Sequence, residues 1–340
     1  MAKEPLAVKH RPTSFNDMTE QSAIKDILEN QIKTKTFQHG YLFTGPSGTG
    51  KTTSARIFAS MINDGKGNPI EVDAASNSGV DNVRQIIEDA KRKPLDAEYK
   101  IFIVDECHSL SSGSWQALLK TLEEPPKFTI FIFCTTNPEK IPATILSRVQ
   151  RYNFQKISNK GIVDRLISII KKEDDSSNIH YDLDAVEYIS KVSNGGMRDA
   201  ITLMDKCLSL SHDVTLENVL KTIGVEDYST FITFLSALEK KEKEISIKVV
   251  EDVYNAGKDV KQFMKDFAKF ILEVEKYALY KNFDYISLPN TLENELEQLI
   301  DDSLFDIMDF VVSLNNQIKW DNDPKTLIEL SILIYCGKEN

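Results

Sequence analysis

The stretch Gly45-Pro46-Ser47-Gly48-Thr49-Gly50-Lys51-Thr52 decides the fold of this chain. It follows an apolar run, Tyr41-Leu42-Phe43, and precedes a helix-forming run at residues 53–59. The order is therefore strand, glycine-rich turn and helix, with the complete spacing G-x-x-x-x-G-K-[ST]. Glycines let backbone N–H groups wrap an anion, because they carry no Cβ and tolerate positive φ. The stretch predicts a phosphate-binding loop.

Two side chains of this loop have predicted roles in phosphate chemistry. Lys51 is expected to reach the β- and γ-phosphates of a nucleotide. The Thr52 hydroxyl is expected to ligate Mg²⁺.

Length and composition indicate a globular protein of more than one domain. The chain has 340 residues, of which 41% are hydrophobic and 27% charged, and single cores rarely grow past ~250–300 residues. The four cysteines are scattered without a C-x-x-C pair, so we expect neither disulfides nor zinc. No apolar run approaches the ~20 residues that cross a membrane, and Met1–Pro5 lacks the apolar core of a signal peptide. We predict a reduced, cytoplasmic setting with no membrane contact.

The net charge of −11 is unevenly distributed along the chain. Residues 1–160 carry 21 Lys and Arg against 18 Asp and Glu, a net charge of +3. Residues 161–340 carry 20 against 34, a net charge of −14. Any contact with DNA is therefore expected in the first half.

Strand and helix patterns alternate in the first half of the chain. Apolar runs at 70–72, 101–104 and 129–134 read as strands, and 20–32, 80–91 and 115–122 read as helices. Alternation of this kind predicts a parallel α/β sheet, whose ligands collect at the carboxyl ends of the strands. Four polar residues fall at those ends and are expected to converge: Lys51, Asp105, Glu106 and Thr136.

Asp105 and Glu106 directly follow a buried strand. Asp105 is placed to hold Mg²⁺, and Glu106 is placed to polarise an attacking water. The alternative is an ordinary charged strand terminus, which the accompanying phosphate loop disfavours. Thr136 is positioned to hydrogen-bond the water or the γ-phosphate, although alone it would carry no meaning.

Beyond about residue 160 the patterns are helical. Residues 1–18 read as a basic, irregular arm, and 1–160 as the α/β nucleotide-binding domain. Three helices within 161–212 predict a small helical lid domain, and the helices within 213–340 predict an all-α collar domain. Arg148 follows the sheet, and Arg198 opens a helix of the predicted lid.

These residues, in this order, resemble the AAA+ clamp-loader ATPases, a P-loop NTPase family, and among them the bacterial DNA polymerase III gamma/tau subunits. The resemblance runs continuously over residues 5–210. Besides the phosphate loop, it rests on the following blocks: Leu6-Ala7-Val8-Lys9-His10-Arg11-Pro12, Glu71-Val72-Asp73-Ala74-Ala75-Ser76, Asp105-Glu106-Cys107-His108, Leu118-Leu119-Lys120-Thr121-Leu122-Glu123-Glu124-Pro125-Pro126, Thr135-Thr136-Asn137-Pro138 and Leu146-Ser147-Arg148.

The resemblance implies a role for each matching residue. Thr136 is similar to sensor 1, Arg198 to sensor 2, and Arg148 to the arginine finger that reaches a neighbouring subunit's ATP. The implied catalytic residues are Glu106, Lys51, Thr136 and Arg148. The implied ATP-binding set is Ala7, Arg11, Pro12, Gly45, Pro46, Ser47, Gly48, Thr49, Gly50, Lys51, Thr52, Thr53, Asp105 and Arg198.

The resemblance also implies partners. Family members form a pentameric ring of gamma-like copies with delta-like and delta-prime-like subunits, open a sliding clamp and place it on primer–template DNA. DNA phosphates are expected at two helix N-termini, at Ser78, Gly79, Ser112 and Gly113. Simple helix caps are the alternative interpretation of those four residues.

Three departures from the family pattern stand out. The four-cysteine zinc module is replaced by a short turn at 61–69, and Ser-Arg-Cys appears as Ser147-Arg148-Val149. The chain stops at Asn340, so we expect a short, gamma-like form without the tau tail and without zinc, of phage or otherwise divergent origin.

Other functions remain as alternatives. A DExH-type helicase needs a second sheet domain, whereas residues 161–340 show only helical patterns. A non-hydrolysing structural subunit is disfavoured by the intact Lys51, Thr52, Asp105 and Glu106. Another AAA+ machine, such as a Holliday-junction motor or a replication initiator, is disfavoured by the Glu-Glu-Pro-Pro block.

Overall fold

A computed structural model describes residues 4–174, 179–223, 228–300 and 304–337, so that Met1–Lys3 lie outside it. The chain forms two compact units. The first comprises Met1–Glu173 with Ser193–Asp205, and the second comprises Asp174–Val192 with Lys206–Asn340. The division into three domains that the sequence predicts, at 1–160, 161–212 and 213–340, stays a prediction.

The first unit is built on a five-stranded sheet in which every pairing is parallel. The strand order is β2-β3-β4-β1-β5, with these bounds: β1 (Gly40–Thr44), β2 (Ile70–Asp73), β3 (Lys100–Asp105), β4 (Thr129–Thr135) and β5 (Gln150–Asn153). The predicted parallel α/β sheet is confirmed. Strand β5 is missing from the prediction because Tyr152 is its only apolar residue, and an edge strand need not read as an apolar run.

Both faces of the sheet are covered, as its uninterrupted apolar strands require. Successive side chains of a strand point to opposite faces. Tyr41 and Phe43 therefore join one core cluster, which includes Phe58 of the following helix. Leu42 joins the other cluster, together with Phe102. Burial on both sides fixes the register of the central strands and places their carboxyl ends in one row.

Seven helices of the first unit have the following bounds: α1 (Leu6–Lys9), α2 (Ser22–Thr34), α3 (Lys51–Ile62), α4 (Val80–Ala90), α5 (Ser112–Glu123), α6 (Ala143–Leu146) and α7 (Asn159–Asp174). The prediction of an irregular N-terminal arm was wrong, because α1 and a 3₁₀ turn at Phe15–Asp17 lie within it. Helix α5 starts three residues before the predicted Trp115. The Ser111 side chain accepts a hydrogen bond from the Ser114 N–H and so initiates the helix despite weak helix formers.

The remaining helices are α8 (Leu183–Val192), α9 (Met197–Leu210), α10 (Leu216–Ile223), α11 (Tyr228–Glu239), α12 (Lys243–Asn255), α13 (Val260–Tyr280), α14 (Glu293–Gln298), α15 (Leu304–Ile318) and α16 (Pro324–Gly337). The first part of α9 belongs to the first unit and its end to the second. The predicted helical C-terminal region is confirmed, but two short parallel strands, β6 (His180–Tyr181) and β7 (Asp213–Val214), correct the purely helical prediction.

The second unit has an aromatic core. Phe231 and Phe234 of α11 pack on Phe263 and Phe267 of α13, with ring centroids 4.7 to 6.0 Å apart. Asp259 caps α13 by accepting hydrogen bonds from the N–H groups of the first turn. Phe263 and Phe267 are four residues apart, so the helical spacing places both on the face of α13 that packs against α11. Within the described ranges no helix is long and apolar enough to cross a membrane.

Candidate nucleotide site

The phosphate loop connects β1 to α3, and its glycines adopt backbone conformations that other residues avoid. Gly45 has φ 141° and Gly50 has φ 100°. A Cβ at Gly45 would lie 2.3 Å from the Phe154 carbonyl oxygen, so only glycine fits there. The loop thus wraps tightly against the chain that leaves β5, with α3 beginning at its end.

Lys51 is the first residue of α3 and is 6% exposed. Its ammonium donates hydrogen bonds to the Gly45 carbonyl at 2.8 Å and to the Pro46 carbonyl at 2.7 Å. Burial lowers the pKa of Lys51, and the nearby carboxylates of Glu106 and Asp105 oppose that shift. The loop therefore holds a positive charge in a partly dehydrated position, where its attraction for an anion is strong.

Thr52 and Asp105 bring two oxygen-bearing side chains together. The Thr52 hydroxyl donates to Asp105 Oδ2 at 2.8 Å, and Asp105 Oδ1 accepts from the Glu106 N–H at 3.0 Å. Hydroxyl and carboxylate oxygens at this spacing are hard ligands of the kind that Mg²⁺ prefers. The residues that the sequence selected as metal ligands thus do lie together.

Glu106 has φ 46°, a left-handed conformation that is uncommon outside glycine. Its Oε2 accepts a hydrogen bond from the Thr136 hydroxyl at 3.3 Å and lies 3.2 Å from His108 Nδ1. His108 Nδ1 also lies 3.1 Å from Thr135 Oγ1. Glu106 is therefore held against the tip of β4 through Oε2.

A cavity of about 360 Å³ joins these groups, within the range usual for small-molecule sites. It is lined by the following predicted residues: Ala7, Arg11, Pro12, Ser47, Gly48, Thr49, Gly50, Lys51, Thr52, Thr53, Asp105, Glu106 and Arg198. Gly45 and Pro46 instead contact the Lys51 ammonium, and Thr136 contacts Glu106.

The same cavity has lining residues that the sequence did not select. They are His10, Met18, Thr19, Arg56, Ile157, Arg165, Met197 and Ile201. They come from segments without a phosphate-binding or metal-binding motif, so no local signal marks them. Their apolar members provide a surface suited to a flat ring.

Arg198 reaches the cavity because α9 begins against the phosphate loop. The Met197 N–H donates to the Gly48 carbonyl at 3.0 Å. A Cβ at Gly48 would lie 3.0 Å from Gly196 Cα, so glycine at Gly48 permits this close approach. Arg198 thus stands at the phosphate end of the cavity, although 150 positions separate it from Gly48 in the sequence.

Arg148 does not line this cavity. Its guanidinium bonds to the Glu123 carboxylate and to the Thr144 carbonyl, each at 2.5 Å. The side chain is 31% exposed. The geometry therefore does not support a role for Arg148 at a nucleotide bound to its own chain. A role of Arg148 at the nucleotide of another subunit stays a prediction.

Comparisons with known proteins identify relatives that match most of this chain. The DNA polymerase III subunit tau of Bacillus subtilis (strain 168) is 33% identical over 362 residues, covering 99% of this chain and 64% of that protein. The DNA polymerase III subunit gamma of Buchnera aphidicola subsp. Baizongia pistaciae (strain Bp) is 36% identical over 274 residues, covering 73% of each chain.

This chain belongs to the DNA polymerase III gamma/tau family. The family described as "DNA polymerase III, delta subunit" also matches residues 70–158. The chain spans only 64% and 50% of the first two curated relatives that it matches. The fold is shared with the Thermotoga maritima RuvB Holliday junction branch migration motor, which aligns with a TM-score of 0.51 and 21% identity, covering 67% of this chain and 78% of that one.

In this gamma/tau chain the four candidate DNA residues occupy two adjacent helix starts. Gly79 precedes α4, and Ser112 and Gly113 begin α5. The Ser78 carbonyl accepts hydrogen bonds from the Ser111 N–H at 3.3 Å and the Ser114 hydroxyl at 2.8 Å, which ties the two starts together. Binding of DNA at these positions stays a prediction.

The segment after α3 in this gamma/tau chain is a tight turn. Asp64, Gly65 and Gly67 all have positive φ there. The four cysteines are free and buried. Across the described part of the chain, no group of three or more His, Cys, Asp or Glu side chains is placed to hold a metal. The expected absence of zinc stays a prediction.

Proposed function

We propose that this chain is the ATP-driven motor subunit of a sliding-clamp loader. It binds and hydrolyses ATP to open a clamp and load it on primer–template DNA during replication. The convergence of Lys51, the Thr52–Asp105 pair and the Thr136–Glu106 pair at one cavity carries this proposal. Family membership supplies the replication context.

The residues suit nucleotide hydrolysis. The loop N–H groups and the Lys51 ammonium bind the phosphates, exchanging the bonds to Gly45 and Pro46 for bonds to phosphate oxygens. Thr52 and Asp105 would hold Mg²⁺, which when bound neutralises phosphate charge. Glu106 accepts a proton from the attacking water through its carboxylate, and Thr136 orients Glu106. Arg198 contacts the γ-phosphate from α9.

We further propose that turnover depends on assembly. Arg148 supplies positive charge to the ATP of a neighbouring subunit, after leaving its present partner Glu123. The proposed neighbours are gamma-like copies and delta- and delta-prime-like subunits of a pentameric ring, with the clamp and primed DNA as further partners. The helices of residues 213–340 form the proposed collar. Four free cysteines fit a cytoplasmic location.

Two alternatives are a non-motor structural subunit and another AAA+ DNA-remodelling ATPase. ATP hydrolysis by the full chain, measured with and without a candidate clamp and primed DNA, separates them. We expect stimulation by clamp and DNA together. A chain that binds but never hydrolyses ATP is a structural subunit, and stimulation by branched DNA without any clamp indicates a remodelling motor.

Two variants make this experiment specific. Lys51→Ala is expected to lose ATP binding and clamp loading together, and full loading by this variant would overturn the ATPase assignment. Glu106→Gln is expected to keep ATP binding and to lose about 10²–10⁴-fold in hydrolysis, the usual contribution of a general base. Metal analysis of the same preparation is expected to find no stoichiometric zinc.

A further inference from the structure

The residues Leu6–Pro12 form one wall of the nucleotide cavity. This segment, shorter than the N-terminal region 1–18, is called the arm. Ala7, His10, Arg11 and Pro12 all line the cavity. The arm is too short to form a core of its own, so its position depends on the elements that hold it. Those elements are α7 and α9, as the following contacts show.

Helix α7 holds the arm through Glu173. The carboxylate oxygen Oε1 of Glu173 lies 2.6 Å from Lys9 Nζ and 2.7 Å from His10 Nε2. The side chains of His10 and Glu173 are only 10% and 12% exposed. Burial acts to raise the pKa of Glu173, but the hydrogen bonds from Lys9 and His10 lower it overall. Arg165, on the same helix, donates to the His10 carbonyl at 2.9 Å.

Helix α9 holds the start of the arm. Asp205 Oδ2 accepts a hydrogen bond from the Leu6 N–H at 2.9 Å. Asp205 shares one face of α9 with Arg198 and Ile201, because residues three and four apart are neighbours on a helix surface. Arg198 and Ile201 line the cavity. One helix face therefore contacts the phosphate end of the cavity and also anchors the arm.

Helix α7 repeats this arrangement. Arg165 lines the cavity and bonds the arm backbone, while Glu173, two turns further along, bonds the arm side chains. Both helices thus combine a cavity contact with an arm contact. The arm cannot open while these bonds persist unless α7 and the first part of α9 move with it.

We propose that Glu173 is a positioning residue for nucleotide binding, which fixes the arm to α7 so that arm and helix enclose the nucleotide as one body. Asp205 is the second anchor, on α9. This inference rests on the proposed function only in requiring that ATP occupy the cavity. Glu173 acts through Lys9 and His10 and does not itself contact the nucleotide.

The expected consequence is a loss of affinity rather than of chemistry. A detached arm samples open positions, and the apparent dissociation constant rises as the fraction of closed arm falls. Lys51, Asp105 and Glu106 belong to the phosphate loop and the sheet rather than to the arm. Hydrolysis at saturating ATP should therefore suffer much less than binding.

The test is nucleotide binding by the full chain carrying Glu173→Gln. With N-methylanthraniloyl-ATP as probe, we expect the dissociation constant to rise about tenfold, chiefly through faster dissociation, if the closed fraction falls to about one tenth. KM for ATP should rise in parallel, with kcat within about twofold of wild type. Glu88→Gln is the matched control, because Glu88 pairs with Lys91 at 2.6 Å on an exposed face of α4.

A second variant approaches the same contact from the arm. Lys9 is 49% exposed, so Lys9→Met removes its charge with little effect on folding. If the contact works as proposed, the double variant Lys9→Met, Glu173→Gln is weakened less than the sum of the single effects.

The outcomes separate the two proposals. Wild-type affinity in both Glu173→Gln and Lys9→Met overturns the positioning role and leaves the proposed function intact. A fall in kcat with unchanged affinity also overturns it. A wild-type chain that binds no ATP overturns both proposals.

Discussion

The Thr52 hydroxyl donates a 2.8 Å hydrogen bond to Asp105 Oδ2, which joins the start of α3 to the end of β3. The two residues are 53 positions apart in the sequence. The parallel sheet brings them together, because β3 ends in the same row as β1, from which the phosphate loop leads into α3. This contact identifies the edge of the sheet at which metal-assisted chemistry can occur.

Asp105→Asn is therefore expected to reduce ATP hydrolysis by roughly 10²–10³-fold. An amide is a poorer Mg²⁺ ligand than a carboxylate, and losing several kcal/mol of metal-derived stabilisation gives a rate loss of that order. Hydrolysis measured across a Mg²⁺ titration checks this prediction. Asp81→Asn is the control, since Asp81 is exposed on α4; an unchanged rate and Mg²⁺ requirement in Asp105→Asn would contradict the metal assignment.

Arg148→Ala is expected to spare ATP binding and to reduce turnover of the assembled ring by about 10³-fold or more, as for an arginine supplied in trans. Stability should change little, because the pair with Glu123 is at the surface and such pairs contribute at most about 1 kcal/mol. Steady-state hydrolysis of the isolated chain and of the ring gives the comparison.

Glu123→Ala is the control for Arg148, since it breaks the same ion pair and leaves the arginine in place. Its turnover in the ring should match wild type. An equal loss of turnover in both variants would mean that the broken ion pair accounts for the effect, and that Arg148 does not act on the ATP of a neighbouring subunit.

Gly45→Ala is expected to disrupt the phosphate loop. The added Cβ would meet the Phe154 carbonyl oxygen at 2.3 Å, and φ of 141° is strained for alanine. We expect a lower melting temperature and loss of ATP binding, by calorimetry and nucleotide titration. Gly79→Ala is the matched control, because nothing lies within 4 Å of a Cβ there. Similar melting of the two variants would show that the loop has room to adjust.

Lys51→Met is expected to raise the melting temperature near neutral pH while abolishing ATP binding. Burial lowers the pKa of Lys51 in the folded protein below the ordinary 10.5. Below the folded-state pKa the ammonium is charged in both states and the burial penalty is fully present. The penalty fades as pH rises through the folded-state pKa toward 10.5.

The gain in melting temperature should therefore shrink as pH rises toward 10.5. Lys91→Met serves as the comparison, since Lys91 is 58% exposed. A melting temperature that falls at neutral pH would show that the bonds from Lys51 to Gly45 and Pro46 outweigh the burial penalty.

Local patterns in the sequence determined much of this protein. The glycines and Lys51 of the phosphate loop, the apolar runs of β1, β3 and β4, and the helical spacing of α13 each follow from a short stretch. Residues a few positions apart fix such features, because backbone freedom and the periods of helix and strand are local properties. The residues of the proposed hydrolytic site were selected from local motifs of the same kind.

Only the tertiary structure decided what lies far apart in the sequence. Strand β5 has one apolar residue, and its place beside β1 comes from pairing along the sheet edge. His108 meets Thr135 across 27 positions because β3 and β4 end side by side. His10 meets Glu173 across 163 positions. Such contacts cannot be read from helix or strand periodicity, because they arise when whole helices and strands pack together. The local sequence therefore determined the chemistry of the phosphate loop, and the tertiary structure decided which residues enclose it.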